Sequence, residues 1–165
     1  MGAANRRIAV ALRGEYLTRA RGVVVERMAE IESLIDLIIE EHFVPGGSEL
    51  SWSFSLDVLY DELFSLALKV SILKKICPEL CVGKQSPIAR LDNMRRIRND
   101  FAHRAVLVKH EGDKDFWVPD PRKPDQRLDF DKALTKFELE GLHVEKALRG
   151  VLTSKGVKLE TTTLP

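Results

Sequence analysis

The chain has 165 residues, 44% of them hydrophobic and 31% charged, with a formal net charge of +1. That length suits one domain with its own core, without disulfide or metal staples. The small net charge excludes a bulk electrostatic case for nucleic acid, so any such case has to be local.

Taken in chain order, residues 1–16 carry Arg6, Arg7 and Arg13 and read as a basic arm or a short helix. A first long helix is predicted over 17–43, with the apolar stripe Val24, Met28, Ile31, Ile35, Ile38 and Leu34 beside it, stopped by Pro45-Gly46-Gly47. A second is predicted over 55–76, capped by Ser51 or Ser53. Its stripe is Leu56, Leu59, Leu63, Leu66, Val70 and Leu73, and it ends before Pro78. Ser86-Pro87 reads as an N-cap followed by proline at the first helical position. After the helix that this pair starts, residues 105–109 and 116–118 read as a short hairpin around the turn 111–114, and 119–126 as a proline-rich loop. Asp129 or Asp131 starts a last helix, to about residue 152, with Leu134, Phe137, Leu142, Ala147 and Leu148 inward. The expected fold class is all-α, a bundle of four or five helices with a small hairpin insert. It comprises one domain over 17–155 and a tail over 156–165.

Charge is segregated. Residues 84–109 hold seven bases (Lys84, Arg90, Arg95, Arg96, Arg98, Arg104, Lys109) against Asp92 and Asp100. Residues 22–44 hold six acids (Glu26, Glu30, Glu32, Asp36, Glu40, Glu41) against Arg27. Either these are two solvated faces that attract each other, or the basic one binds phosphate while the acids hold a buried arginine.

That arginine is Arg98, in the stretch Arg98-Asn99-Asp100-Phe101-Ala102-His103. At roughly 100° per residue, Leu91, Met94, Ile97, Phe101 and Ala102 share an apolar arc, and Arg98 falls within it. Asp92, Arg96, Asn99 and His103 share a polar strip. A buried arginine needs a partner, so Arg98 is expected to pair with Glu26, Glu30 or Asp61, or to face a ligand or a second subunit.

The stretch resembles the Arg-x4-His motif of the HEPN superfamily, and the preceding text 91–97 resembles its motif helix. The resemblance spans 17–155. It implies metal-independent cleavage of RNA to 2′,3′-cyclic phosphate ends by a toxin or defence protein. Arg98, Asn99 and His103 are its catalytic residues, and Arg95, Arg96 and Arg104 are contacts to RNA phosphates. His103 moves a proton, Arg98 stabilises charge on phosphorus, and Asn99 orients His103 or the phosphate. One histidine is thin for a reaction needing acid and base. A homodimer with a composite cleft supplies two, as the resemblance also implies. Similar text occurs in relatives of the mannitol operon repressor, which makes a non-catalytic regulator or adaptor the alternative. A third reading has the motif serving only the fold. The tyrosine that one HEPN subgroup, paired with nucleotidyltransferase antitoxins, carries two residues after the histidine is Ala105 here. This departure argues against regulation through that residue.

Trp52 and Trp117 read as packing anchors rather than base-stacking platforms, and His143 as a surface or boundary residue. Cys77 and Cys81, with four scattered histidines, offer no zinc spacing. No metal or other cofactor is expected. The expected partners are RNA, a second copy, and an antitoxin or other protein. The early apolar run 8–12 is too short for a signal or membrane segment, so no membrane contact and a cytoplasmic location with reduced thiols are expected.

Overall fold

Helix α1 (Ala3–Phe43) is one uninterrupted helix in the computed structural model, which describes residues 3–45, 49–103, 107–108, 116–120 and 123–157. Side chains are described for 14–45, 50–102 and 129–157. The fold class is all-α. Among the described residues, four further helices follow: α2 (Glu49–Phe54), α3 (Leu66–Ile76), α4 (Pro87–His103) and α5 (Phe130–Ser154). A three-stranded antiparallel sheet, β1 (Leu107–Val108), β2 (Phe116–Asp120) and β3 (Lys123–Asp129), lies between α4 and α5 in sequence.

The N-terminal residues from Ala3 belong to α1 rather than to a separate arm. They are rich in Ala, Arg and Leu, and the exposed Gly14 costs only about 1 kcal/mol in a helix interior. The helix stops where Pro45 follows. The predicted stripe of α1 is entirely buried.

The second predicted helix is broken. α2 runs into a π-helical turn at Ser55–Leu59, and the chain then leaves the helix until Ser65. The Asp61 carboxylate accepts the Leu63 N–H at 2.7 Å, a local bond that competes with helix continuation. Ser65, not Ser51 or Ser53, is the cap: its hydroxyl accepts from Leu68 N. Ser51 and Ser55 instead donate to the two carboxylate oxygens of Glu40, Ser55 at 2.8 Å.

The sheet adds a strand to the expected hairpin. β1 pairs Leu107 with Trp117, and β2 pairs Val118 with Leu128. The segment expected to be a proline-rich loop contributes to β2 and β3. Pro119 brings no N–H to the middle strand, and the register shifts between Pro119 and Asp120. A bulge is the usual accommodation of proline inside a sheet. The expected turn at 111–114 lies outside the described residues.

The chain divides into two compact units. The first takes Met1–Met28 and Met94–Leu139, the second Ala29–Asn93 and Glu140–Pro165. In the first, Phe101 and Phe130 are fully buried and stacked, with ring centroids 4.3 Å apart. Tyr16 meets the edge of Phe130 at 6.2 Å and donates its hydroxyl to Asp131 Oδ1 at 2.5 Å. Asp129 caps α5, accepting from Lys132 N at 3.1 Å. That bond and the Lys132 ammonium hold its carboxyl below the usual range. α5 buries Phe130, Ala133, Phe137, Val144 and Leu148, whereas Leu142, expected inside, is exposed.

In the second unit the ammonium of Lys69, 3% exposed, meets Glu32 at 2.8 Å and Asp36 at 2.9 Å. Asp36 is also buried, and its Oδ1 has no hydrogen-bond partner among the described residues. Burial raises the Asp36 carboxyl above its usual value, more than Lys69 lowers it. Burial alone would depress Lys69, but its bonds to Glu32 and Asp36 win, and its pKa is raised. Removing one partner of such a pair leaves a buried charge, at about 3–5 kcal/mol. Lys69→Met should therefore lower the stability read by urea denaturation by about 3 kcal/mol or more. Adding Asp36→Leu should restore most of the loss, because the stranded carboxylate is then gone. Equal instability of the single and double variants would contradict this.

Alkaline pH tests the other unit. The hydrogen bond to Asp131 is the largest reason that the Tyr16 phenol is pushed up to about 12, with burial adding to it. The folded state then keeps a proton that the unfolded chain loses from pH 10. Stability is unaffected below that and falls between pH 10 and 12. In a Tyr60→Phe background, the phenolate absorbance of folded protein should rise near pH 12, and nearer 10 after Asp131→Asn.

Candidate functional site

The sequence places the motif at the C-terminal end of α4, and the helix is built to hold it there. Ser86 caps it, accepting from Ala89 N at 3.2 Å, with Pro87 at the first position. Its buried stripe is Ile88, Leu91, Met94, Ile97 and Phe101. Three-residue steps fall short of a turn by roughly 60°, so the stripe winds around the helix. By the level of the motif it has turned toward Ile97 and Phe101. Arg98 is left at its margin and Ala102 is exposed.

Arg98 is therefore not a buried arginine, contrary to the expectation from the single apolar arc. Its Nη1 donates to Asn99 Oδ1 at 3.1 Å. Of the acids expected to hold it, Glu26, Glu30 and Asp61, the last accepts the Leu63 N–H. The Arg98–Asn99 contact joins neighbours in sequence, and no periodicity points to it.

The other site residues are placed as follows. Asn99 is exposed, and His103 is the last residue of α4, one turn further on, with its side chain outside the described residues. Arg95 is half-buried and Arg96 exposed, and each already engages neighbouring groups. Arg104 lies outside the described residues. Arg90, counted with the basic segment, is committed to Glu140 at 2.9 Å, and Lys74 pairs with Asp92 at 3.3 Å. The described structure thus brings Arg98 and Asn99 together and withdraws Arg90 from any phosphate face.

Trp52 is no packing anchor; it is 71% exposed. The Trp117 side chain lies outside the described residues. His143 is exposed, as expected. Cys77 is buried and Cys81 exposed, both as free thiols, and burial pushes the Cys77 thiol up. Among the described residues no three His, Cys, Asp or Glu side chains form a metal cluster, and no helix is long and apolar enough to cross a membrane.

No family model, curated protein or solved structure matches the chain.

Among the described residues Arg98 has no buried ion pair to break, so Arg98→Ala should cost less than about 1 kcal/mol in thermal or urea unfolding. Phe101→Ala, which empties the stack on Phe130, should cost about 3–5 kcal/mol. Near-equal losses would mean that Arg98 is a folding element.

Proposed function

We propose that this chain is a HEPN-type, metal-independent endoribonuclease, a toxin or defence protein acting as a homodimer in the cytoplasm. The observation that supports the reading is the state of Arg98. It is partly exposed at the end of α4 and held by a neutral amide rather than a carboxylate. A guanidinium in that state keeps its full charge and most of its donors for a phosphate. An arginine serving only the fold would be buried against an acid.

In this mechanism the ribose 2′-hydroxyl attacks the adjacent phosphorus. The 5′-oxygen leaves, and a cyclic phosphate end and a 5′-hydroxyl end result. His103 of one subunit takes the 2′ proton and His103 of the other gives one to the 5′-oxygen. Arg98 stabilises the charge that builds on the phosphoryl oxygens, and Asn99 fixes the plane of its guanidinium. Arg95, Arg96 and Arg104 contact flanking phosphates. DNA lacks the attacking hydroxyl and is not cleaved. An antitoxin is the partner that such an activity would require in the cell.

The test is cleavage of an end-labelled structured RNA in EDTA by wild type, Arg98→Ala and His103→Ala, each shown to be folded. Wild type should leave cyclic-phosphate ends. Each variant should lose at least about a hundredfold in rate, the usual scale for one acid–base or charge-stabilising group. A folded wild type without activity on several RNAs, whose binding survives His103→Ala, would replace this reading with the regulator resembling the mannitol operon repressor group.

A further inference from the structure

The segment from α2 to the turn before α3 is inside out. Ser51, Ser55 and Leu59, one turn apart, face inward: the two serines bond Glu40 and Leu59 is 2% exposed. The column one residue on, Trp52, Leu56 and Tyr60, faces solvent at 71%, 48% and 66% exposure, and Leu63 beyond it at 87%. A helix normally buries its apolar side and exposes its hydroxyls. A contiguous exposed patch of large apolar side chains marks a contact with a protein, a membrane or a ligand.

The exposed charges next to that row in sequence are acidic. The adjoining column holds Asp57 and Asp61, both exposed, and exposed Glu62 follows. Between Met28 and Leu68 the chain has nine acids (Glu30, Glu32, Asp36, Glu40, Glu41, Glu49, Asp57, Asp61, Glu62) and no lysine or arginine. The first cation after it, Lys69, lies 6.0 Å from the Tyr60 ring centroid but is buried against Glu32 and Asp36, whose carboxylates offset its charge. An apolar row flanked by carboxylates repels phosphate, which argues against RNA or an anionic membrane. It complements a helix with one apolar face bordered by lysine or arginine.

We infer that the Trp52–Leu56–Tyr60 face docks a basic amphipathic helix of a protein partner. The inference is independent of RNA cleavage. The apolar row supplies burial, and Asp57, Asp61 and Glu62 set the orientation and exclude acidic partners.

The test uses the full chain and a synthetic helical peptide with leucines on one face and lysines on its flanks. A control peptide carries glutamate for each lysine. Calorimetry should show micromolar binding of the lysine peptide and none of the control. Trp52→Ser/Leu56→Ser keeps every charge and should weaken binding at least about tenfold, as expected on losing anchor residues. Asp57→Lys/Glu62→Lys should do the same. Asp61 is left intact because its carboxylate closes the turn to Leu63. All these side chains are exposed, so melting curves should be unchanged. His103→Ala should bind as wild type does, which keeps this outcome separate from that of the nuclease test. The inference is overturned if both peptides bind alike, if neither binds, or if Trp52→Ser/Leu56→Ser binds like wild type. Sedimentation showing self-association that this double variant abolishes would also overturn it, since a second copy would then cover the face.

Discussion

The buried ammonium of Lys69 decides what the acids of α1 are available to do. A lysine at 3% exposure cannot stay charged without close carboxylates, and it takes two, Glu32 and Asp36. They stand one turn apart on α1, so a single ammonium reaches both. That demand fixes the face that α3 turns toward α1. α3 therefore cannot simply prolong α2, and the chain between them leaves the helix at Tyr60–Ser65. Glu32 and Asp36 are thereby committed to the fold of their own unit.

Burying this triad is not a cheap way to hold a helix. Two carboxylates share one cation, and Asp36 keeps one buried oxygen without a partner among the described residues. A well-packed apolar set of the same volume would hold the elements together as well or better. What the triad adds is selectivity of register. Sliding α3 by one residue would leave Lys69 and Asp36 charged and unpaired in an apolar interior, whereas a leucine in place of Lys69 would tolerate several positions.

What was legible in the residues followed from how many constraints each segment obeys. α1 has one long apolar stripe and a proline-glycine stop, so its core face and C-terminal end were readable. Ser86-Pro87 and Asp129 are local caps whose chemistry needs no tertiary partner, and both are where local reasoning puts them. The helix predicted over 55–76 failed because leucines at Leu56, Leu59 and Leu63 imitate a stripe, while Leu56 and Leu63 are exposed. The competing signals, Asp61 and Ser65, are single polar residues that look harmless in a helix pattern. On α5 the pattern holds at Phe137 and Leu148 and fails at Leu142, which is exposed while Val144 is inside. At the candidate site, Asn99 and His103 lie one turn apart on α4. A single arc over the whole of α4 puts Arg98 inside, whereas the buried stripe advances mostly by threes and leaves it at the margin.

The motif and the apolar column show how a short sequence feature should be weighed against its surroundings. In Arg98-Asn99-Asp100-Phe101-Ala102-His103 the residue the fold uses is Phe101, stacked on Phe130. Its burial sets the rotation of the last turns of α4, and that rotation leaves Arg98 and Asn99 at the surface without a structural duty that would explain them. In the α2 segment the logic runs the other way. The polar residues Ser51 and Ser55 carry the structural duty through Glu40, and the large apolar residues are the surplus. In both places function is indicated by chemistry left over once folding is accounted for: a charged group near the motif, and an apolar row beside carboxylates on α2. Under the two proposals these leftovers would have opposite affinities, one for phosphate and one for a basic helix, so a single ligand would not satisfy both.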